Sequence, residues 1–171
     1  LDALVNIDLD KRIVKSEKKS LNLIRLGTSG ALQKDIPIDS FLISKYAIGF
    51  DGLAHFHENT ENIEKEMTHA FINHSNWPNK LSEPYIIKAS DNLLEKFNRF
   101  SKGITATSSG FYVPQGRELR LKSAVPNMHQ SLNTFDYNGN KITNFEMESS
   151  ALYYLGQTLG HNTLTICAII G

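Results

Sequence analysis

The sequence predicts an α/β protein in which helices cover a largely parallel β-sheet. Two strand–helix–strand units follow one another along the chain. The segment 163–170 (TLTICAII) is apolar almost throughout, as expected for a strand that is buried on both faces. No turn of the Asn-Gly type lies between the expected core strands, so tight hairpins do not connect them. This combination favours strands that are joined by crossover helices.

The N-terminal half supplies two of the expected strands. Residues 1–7 (LDALVNI) have the pattern of a helix that lacks its own start. Residues 21–26 (LNLIRL) are predicted as a strand that ends in a turn at 27–30 (GTSG). Residues 41–48 (FLISKYAI) alternate as a second strand, and 60–71 are predicted as a charged, moderately amphipathic helix.

The C-terminal half continues the alternation of strands and helices. Residues 85–89 (YIIKA) are predicted as a short strand, and Ser90 is expected to cap a helix over 91–100 (DNLLEKFNRF). Residues 104–109 (ITATSS) are predicted as another strand. The dipeptide 138–139 (Asn-Gly) is predicted as a tight turn just before a long helix.

That long helix is predicted over residues 142–160 (ITNFEMESSALYYLGQTLG). Thr143 fits its N-cap, Glu146 completes a capping box, and Gly160 closes the other end. This assignment gives Glu146 a capping role and no chemistry. Glu148 then falls on the apolar stripe of the helix, where its oxygens need donors. The hydroxyl pair of a ribose would supply them; the alternative is that Glu148 only caps or pairs with a nearby arginine.

Composition limits the class of protein. A chain of 171 residues suits one domain with a real core, and both of its ends are interpreted as interrupted, so we expect a single domain over 1–171 that is incomplete at both ends. With 18 basic and 18 acidic residues, the sequence gives no electrostatic reason to bind nucleic acid or a membrane surface. We expect no signal peptide. The single Cys167 excludes an intramolecular disulfide and favours the cytoplasm.

Arg25 lies near the end of the first predicted strand, where ligands bind in open α/β sheets. Together with the hydroxyls of Thr28 and Ser29 and the amides around two glycines, it would form a small anion site. The spacing matches neither a P-loop nor a dinucleotide-binding fingerprint. The alternative is a salt-bridged arginine beside an ordinary tight turn.

The loop after the strand 104–109 carries side chains that suit a planar heterocycle. Phe111 or Tyr112 can stack on a ring, Gln115 offers an acceptor and donors, and Arg117 offers a rigid fork of donors. One glutamine and one arginine satisfy the edge of uracil, which presents carbonyl, N–H and carbonyl, whereas an adenine edge does not match. The alternative is a surface loop in which Gln115 and Arg117 face water.

His55 and His57 are spaced to face the same side of a strand and to hold a metal ion. No third ligand of suitable spacing accompanies them. The sequence therefore predicts no metal site.

Four segments, in order along nearly the whole chain, resemble a known family. They are IRLGTSGALQ (24–33), FDGLAHF (50–56), GITATSSGFYVPQGR (103–117) and NFEMESSAL (144–152). They resemble the nucleoside phosphorylase family, and in particular its uridine phosphorylase branch. The Glu-Met-Glu motif followed by small residues is fairly specific to the superfamily, and the Phe-Tyr then Gln-x-Arg loop distinguishes the uridine branch.

The resemblance implies a three-layer α/β/α sandwich with a mixed, largely parallel central sheet. It also implies a site of three parts, of which Arg25, Thr28 and Glu148 are catalytic. The parts are phosphate-binding Arg25 and Thr28; base-binding Ser29, Gly30, Phe111, Gln115 and Arg117; and ribose-binding Thr28, Met147 and Glu148.

The activity that the resemblance implies is phosphorolysis of a pyrimidine nucleoside, in which uridine and phosphate give uracil and ribose 1-phosphate through an oxocarbenium-like transition state. It implies no cofactor and no metal, with inorganic phosphate as co-substrate. Expected partners are the nucleoside and phosphate, without nucleic acid or membrane, in a dimer-based homo-oligomer such as a hexamer. The alternatives are a purine nucleoside phosphorylase, a nucleosidase that uses water, and a non-catalytic nucleoside-binding protein.

Overall fold

A computed structural model of the protein describes residues 1–58, 61–125 and 127–171. The strands are β1 (Ile7–Asp8), β2 (Ile13–Val14), β3 (Asn22–Ala31), β4 (Phe41–Gly49), β5 (Tyr85–Lys88), β6 (Ser101–Thr107), β7 (Asp136–Tyr137), β8 (Asn140–Glu146) and β9 (Asn162–Ile169). The α-helices are α1 (Asp2–Asn6), α2 (Lys65–Ser75), α3 (Asp91–Leu94), α4 (Met128–Thr134) and α5 (Ser149–Thr158). Short 3₁₀ helices cover Leu53–Phe56, Glu95–Phe97 and Val113–Gln115.

The main sheet has the strand order β3-β9-β4-β6-β8-β7, with β5 beside β4. The pairs β3–β9, β4–β6 and β6–β8 are parallel, whereas β9–β4, β4–β5 and β7–β8 are antiparallel. The end of β3 also pairs with β8, through Gly30 opposite Phe145 and Ala31 opposite Asn144. Five strands are therefore linked in a closed ring. The predicted mixed, largely parallel sheet is confirmed.

Helices lie on both faces of the sheet, and each face has its own core. On one face α2 and α4 pack against residues such as Ile48 and Ile104. On the other face α3 and α5 pack against residues such as Ile43, Ala47 and Leu164. The residues of β4 alternate between the two cores because successive side chains of a strand point to opposite faces. The three-layer α/β/α arrangement is confirmed.

The first main strand is longer than the sequence predicts. The predicted turn at 27–30 is wrong, because β3 continues through it to Ala31. Parallel pairing with β9 extends from Asn22 to Ser29, so the extended conformation satisfies the backbone there. Gly27 and Gly30 do not take positive φ angles, so neither glycine acts as a turn residue.

The predicted helix over 142–160 is wrong in its first part. Its residues up to Glu146 form β8, which pairs with β6 on one side, and only Ser149–Thr158 is helical. Thr143 is not a helix cap; its hydroxyl donates to the carbonyl of Ile104. A local capping pattern was therefore outweighed by pairing with a distant strand, which sequence periodicity does not reveal.

The turn predicted at 138–139 is confirmed, but it connects β7 and β8 and does not precede a helix. Asn138 and Gly139 have φ angles of 51° and 79°. Both values lie in the left-handed region, as a two-residue hairpin turn of type I′ requires.

The other predicted elements have counterparts close to their expected positions. The strands at 41–48, 85–89, 104–109 and 163–170 correspond to β4, β5, β6 and β9. The helix after Ser90 is short, with one α-helical turn continued as a 3₁₀ helix. The helix expected from 60 begins at Lys65, and Thr60 itself lies outside the described residues. Within the described ranges, no helix has the length and apolar character needed to cross a membrane.

We expect Ile104→Ala to lower the free energy of unfolding by about 2–5 kcal/mol, because it leaves a cavity where a fully buried side chain packs under α2 and α4. Urea denaturation monitored by circular dichroism measures the loss. The matched control is Ile170→Ala. The Ile170 side chain is 64% exposed, so its removal should lower the free energy of unfolding by less than about 0.5 kcal/mol. Equal losses in the two variants would contradict the assigned core.

Candidate active site

The candidate site lies where the first half of β3 and the C-terminal ends of β6 and β8 meet the start of α5; the prediction that Arg25 lies near the end of its strand is wrong, because β3 continues to Ala31. Arg25 comes from β3, Thr107 ends β6, Glu146 ends β8, and Glu148 immediately precedes α5. These positions are far apart along the chain. The pairing of β8 with both β3 and β6 brings them together.

Arg25 lies between two carboxylates. Its Nη2 donates to Glu148 in a direct ion pair and lies 3.5 Å from Oε2 of Glu146. The Arg25 side chain is only 20% exposed. Burial lowers the pKa of Arg25, but the charges of Glu146 and Glu148 outweigh that effect and leave its pKa above the ordinary value. The guanidinium is therefore held as a fixed positive charge.

Glu146 is the buried member of the two carboxylates. Its oxygens accept hydrogen bonds from the Thr107 hydroxyl at 2.6 Å, from the Glu148 N–H at 3.0 Å and from the Ser149 N–H at 3.0 Å. It thus caps α5, which begins at Ser149 and not near Thr143 as predicted. The prediction that Glu146 has no other role missed its contact with Arg25. A carboxylate at the end of a buried strand was the signal that could have revealed it.

Glu148 does not lie on a buried helix stripe, and that prediction is wrong. Its side chain is 59% exposed, and the residue precedes the first turn of α5. The exposure follows from the later start of the helix. Because α5 begins after Glu148, the predicted positions of residues on its faces do not apply to Glu148. The alternative interpretation, in which Glu148 pairs with a nearby arginine, describes its contact with Arg25.

Two features of β3 shape the space around Arg25. A Cβ atom at Gly27 would overlap the guanidinium of Arg25, so the absence of a side chain lets the arginine lie across the strand. Ser29 is buried and accepts a hydrogen bond from Nδ2 of Asn144 at 2.9 Å. Thr28 is exposed, and strand alternation directs its side chain away from the face of Arg25 and Ser29.

Cys167 on β9 lies beside the same arginine. Nη1 of Arg25 donates to its sulfur at 3.8 Å. Burial raises the pKa of the Cys167 thiol, which keeps it protonated at neutral pH. The thiol therefore packs against Arg25 and is not an activated nucleophile.

The loop after β6 holds the aromatic and polar residues that the sequence singled out. Gln115 is buried, and its Oε1 accepts a hydrogen bond from Nη1 of Arg117. The same nitrogen donates to the carbonyl of Phe111 at 2.7 Å, and the guanidinium lies 4.2 Å from the centroid of the Phe111 ring. Gly116, between Gln115 and Arg117, has a φ of 76°, which favours glycine and makes the sharp bend.

This loop reaches the end of β3. A Cβ atom at Gly30 would lie 4.0 Å from Nη2 of Arg117, which is ordinary contact distance. Met147, between the two glutamates, is 41% exposed. The structure therefore brings Arg25 together with Glu146 and Glu148, and Arg117 with Gly30 and Phe111, at one end of the sheet.

The two histidines lie apart from this site. Nε2 of His55 is 2.8 Å from the carbonyl oxygen of Glu83, and Nδ1 of His57 is 3.3 Å from that of Leu53. In the part of the chain that the structure describes, no three His, Cys, Asp or Glu side chains are grouped so that they could hold a metal ion.

Comparison with known proteins gives the family. Residues 6–171 match the family model described as the phosphorylase superfamily. The chain belongs to this superfamily.

Two relatives in the phosphorylase superfamily carry the name uridine phosphorylase. The protein from Thermococcus kodakarensis is 30% identical over 149 residues, which cover 85% of this chain and 47% of the relative. The protein from Haemophilus influenzae is 28% identical over 150 residues, which cover 86% of this chain and 52% of the relative. The chain thus spans about half the length of the curated relatives it matches.

A solved structure shows the superfamily fold. It is a nucleoside phosphorylase from Trypanosoma brucei that shows uridine phosphorylase activity. The TM-score is 0.81 at 24% identity, and the match covers 98% of this chain and 64% of that one. The predicted nucleoside phosphorylase-like fold is confirmed.

We expect Thr107→Val to lower the free energy of unfolding by about 1–3 kcal/mol, because the isosteric change removes one buried donor to Glu146 and takes away the Thr107 acceptor of the Ser150 N–H. Urea denaturation measures this loss in the free energy of unfolding. The control is Thr158→Val, since Oγ1 of Thr158 is buried and has no partner among the described residues. That change should leave stability equal or slightly higher; equal losses in both variants would contradict the role of Thr107.

Proposed function

We propose that this protein catalyses the phosphorolysis of a pyrimidine nucleoside, in which uridine and phosphate give uracil and ribose 1-phosphate. The observation that carries the proposal is the convergence of two groups at one end of the sheet. One group is Arg25 with its two glutamates, and the other is the Gln115–Arg117 pair beside Phe111. The names of the relatives support the same reaction.

The first group suits phosphate and ribose. Arg25 offers a fixed guanidinium whose donors match phosphate oxygens. Thr28 carries an exposed hydroxyl on the opposite face of the same strand, so its assignment to phosphate and ribose rests on the family resemblance alone. The exposed carboxylate of Glu148 can accept hydrogen bonds from the 2′- and 3′-hydroxyls of a ribose, against which the Met147 side chain would pack.

The second group suits uracil. Gln115 and Arg117 together present the donors and acceptor that complement a carbonyl, an N–H and a second carbonyl. Phe111 is 54% exposed and offers a ring face for stacking, and Ser29 and Gly30 border the base at the end of β3. Because Gln115 is buried and already bonded to Arg117, the pair is held in position before a base arrives.

The chemistry follows from where charge develops. As the glycosidic bond lengthens, the ribose gains positive charge, which the negative phosphate held by Arg25 stabilises while it is positioned to attack C1′. The departing base gains negative charge, which donors from Gln115 and Arg117 stabilise. Since these hydrogen bonds strengthen as the bond breaks, they lower the barrier as well as binding the substrate. Protein residues and the co-substrate phosphate fill these roles, and the reaction as proposed uses no cofactor.

The proposal extends to the assembly and its location. Several large apolar side chains are exposed on or next to the base-binding loop: Tyr112, Leu119 and Leu121. Their burial against a second copy supports a dimer-based homo-oligomer. The buried free thiol of Cys167 and the balanced charge suit a cytoplasmic protein that binds neither nucleic acid nor membranes.

We expect the protein to release uracil from uridine only when inorganic phosphate is present, with ribose 1-phosphate as the second product. Chromatography of reactions with and without phosphate measures both products. Release without phosphate would replace phosphorolysis with hydrolysis. Binding of uridine without any release would indicate a non-catalytic nucleoside-binding protein.

We expect Arg117→Ala to lower kcat/KM for uridine by about 100-fold, because it removes a donor to the departing base. The KM for phosphate should change little, since Arg117 is not part of the group around Arg25. Steady-state kinetics with each substrate varied in turn measure both values. Arg120→Ala is the matched control, because Arg120 is an exposed arginine three residues away and should leave both constants unchanged. A change confined to the phosphate KM would contradict the assignment of this loop.

A further inference from the structure

Two side chains that the proposed reaction assigns to different ligands contact each other. Arg25 is assigned to phosphate and Glu148 to the ribose hydroxyls, and in the structure their side chains form a direct ion pair. A guanidinium held by a carboxylate has fewer donors free for phosphate. A carboxylate held by a guanidinium has fewer lone pairs free for hydroxyl groups.

We propose that the Arg25–Glu148 ion pair couples the two substrates, so that phosphate and nucleoside each raise the affinity of the site for the other. The proposal rests on the proposed function. Phosphate that binds alone must displace Glu148 from Arg25, and a nucleoside that binds alone must draw Glu148 away from Arg25. When both bind, the ion pair has to be broken only once. The coupling is reciprocal, as any equilibrium linkage must be.

The two glutamates differ in how firmly they are held, which decides which of them moves. Glu146 is almost fully buried and accepts hydrogen bonds from Thr107 and from two N–H groups at the start of α5. Glu148 is 59% exposed, and among the described residues its side chain forms a hydrogen bond or ion pair only with Arg25. Glu148 is therefore the mobile partner, and Glu146 is a positioning residue that keeps Arg25 in the site when Glu148 turns to the ribose.

The partial exposure of the pair sets the size of the coupling. Ion pairs between largely exposed groups contribute modestly because water competes for both partners, whereas buried pairs contribute more. Arg25 is mostly buried and Glu148 mostly exposed, so we expect a coupling factor of about two- to fivefold.

The experiment is a pair of calorimetric titrations with sulfate as an unreactive tetrahedral dianion. Uridine is titrated into the protein with saturating sulfate and with chloride at the same ionic strength, and sulfate is titrated with and without uridine. We expect the Kd of each ligand to fall by about two- to fivefold when the other is bound. With 2′,3′-dideoxyuridine the coupling should vanish, because that sugar has no hydroxyl pair to draw Glu148 from Arg25.

A variant separates the ion pair from simple charge repulsion. Glu148→Gln keeps the size of the side chain but removes the ion pair, so sulfate should bind it more tightly in the absence of uridine and the coupling should disappear. If Glu148 acted only by repelling the anion, the variant would bind sulfate more tightly to the same degree with and without uridine, and the coupling would persist. Glu118→Gln, which removes an exposed carboxylate paired with Lys122, should keep the coupling of the unmodified protein.

The outcomes distinguish this inference from the proposed function. Binding of uridine and sulfate with no mutual effect would overturn the coupling and leave the proposed reaction standing, as would coupling of unchanged size in Glu148→Gln. Failure of uridine to bind in any of the titrations would overturn the proposed function and the coupling together.

Discussion

The buried carboxylate of Glu146 is the constraint on which the site depends. An ionised group with a side chain only 2% exposed is stable only when donors surround it. Those donors come from Thr107 at the end of β6, from the first N–H groups of α5, and from Arg25 on β3. Satisfying one charge therefore requires three separate elements to meet at one point. The same requirement holds Arg25 beside the start of α5, where it can act on a ligand.

A chain of buried polar side chains extends this constraint through the ring of strands. Asn144 on β8 donates to Ser29 on β3 and accepts from Thr105 on β6, whose hydroxyl lies 2.5 Å from that of Ser44 on β4. A slip of one residue in any of these strands would turn its polar side chain to the opposite face and leave partners unsatisfied. The polar interior thus fixes the register of β3 against β8, and with it the distance between Arg25 and the glutamates.

Local patterns in the sequence predict several of the strands but not the contacts of the site. The apolar segment 163–170 and the alternating segment 41–48 identify β9 and β4, since the pattern of apolar residues within a strand reflects how the strand is buried. The sequence predicts 142–146 as part of a helix because Thr143 and Glu146 have the spacing of a capping box. Its true conformation depends on pairing with β6 and β3, which no local pattern encodes. For the same reason the contact of Glu146 with Arg25, far away along the chain, could not be predicted. The Gln-x-Arg spacing in the loop, in contrast, is local and was visible.

The site combines residues that are held in place with residues that remain free to move. Arg25, Glu146 and Gln115 are mostly buried and already hydrogen-bonded to other protein groups, so their charges and dipoles do not need to reorganise when a substrate binds. Phe111 and Glu148 are more than half exposed and lie on the open side. For the proposed phosphorolysis this division is appropriate. The groups that face developing charge gain most from being fixed beforehand, because reorganisation during the reaction would add to the barrier. The groups that admit a sugar and a ring must move to let them in. The Arg25–Glu148 ion pair joins one fixed and one exposed residue. Binding of one substrate to either residue can therefore change the affinity of the other residue for the second substrate.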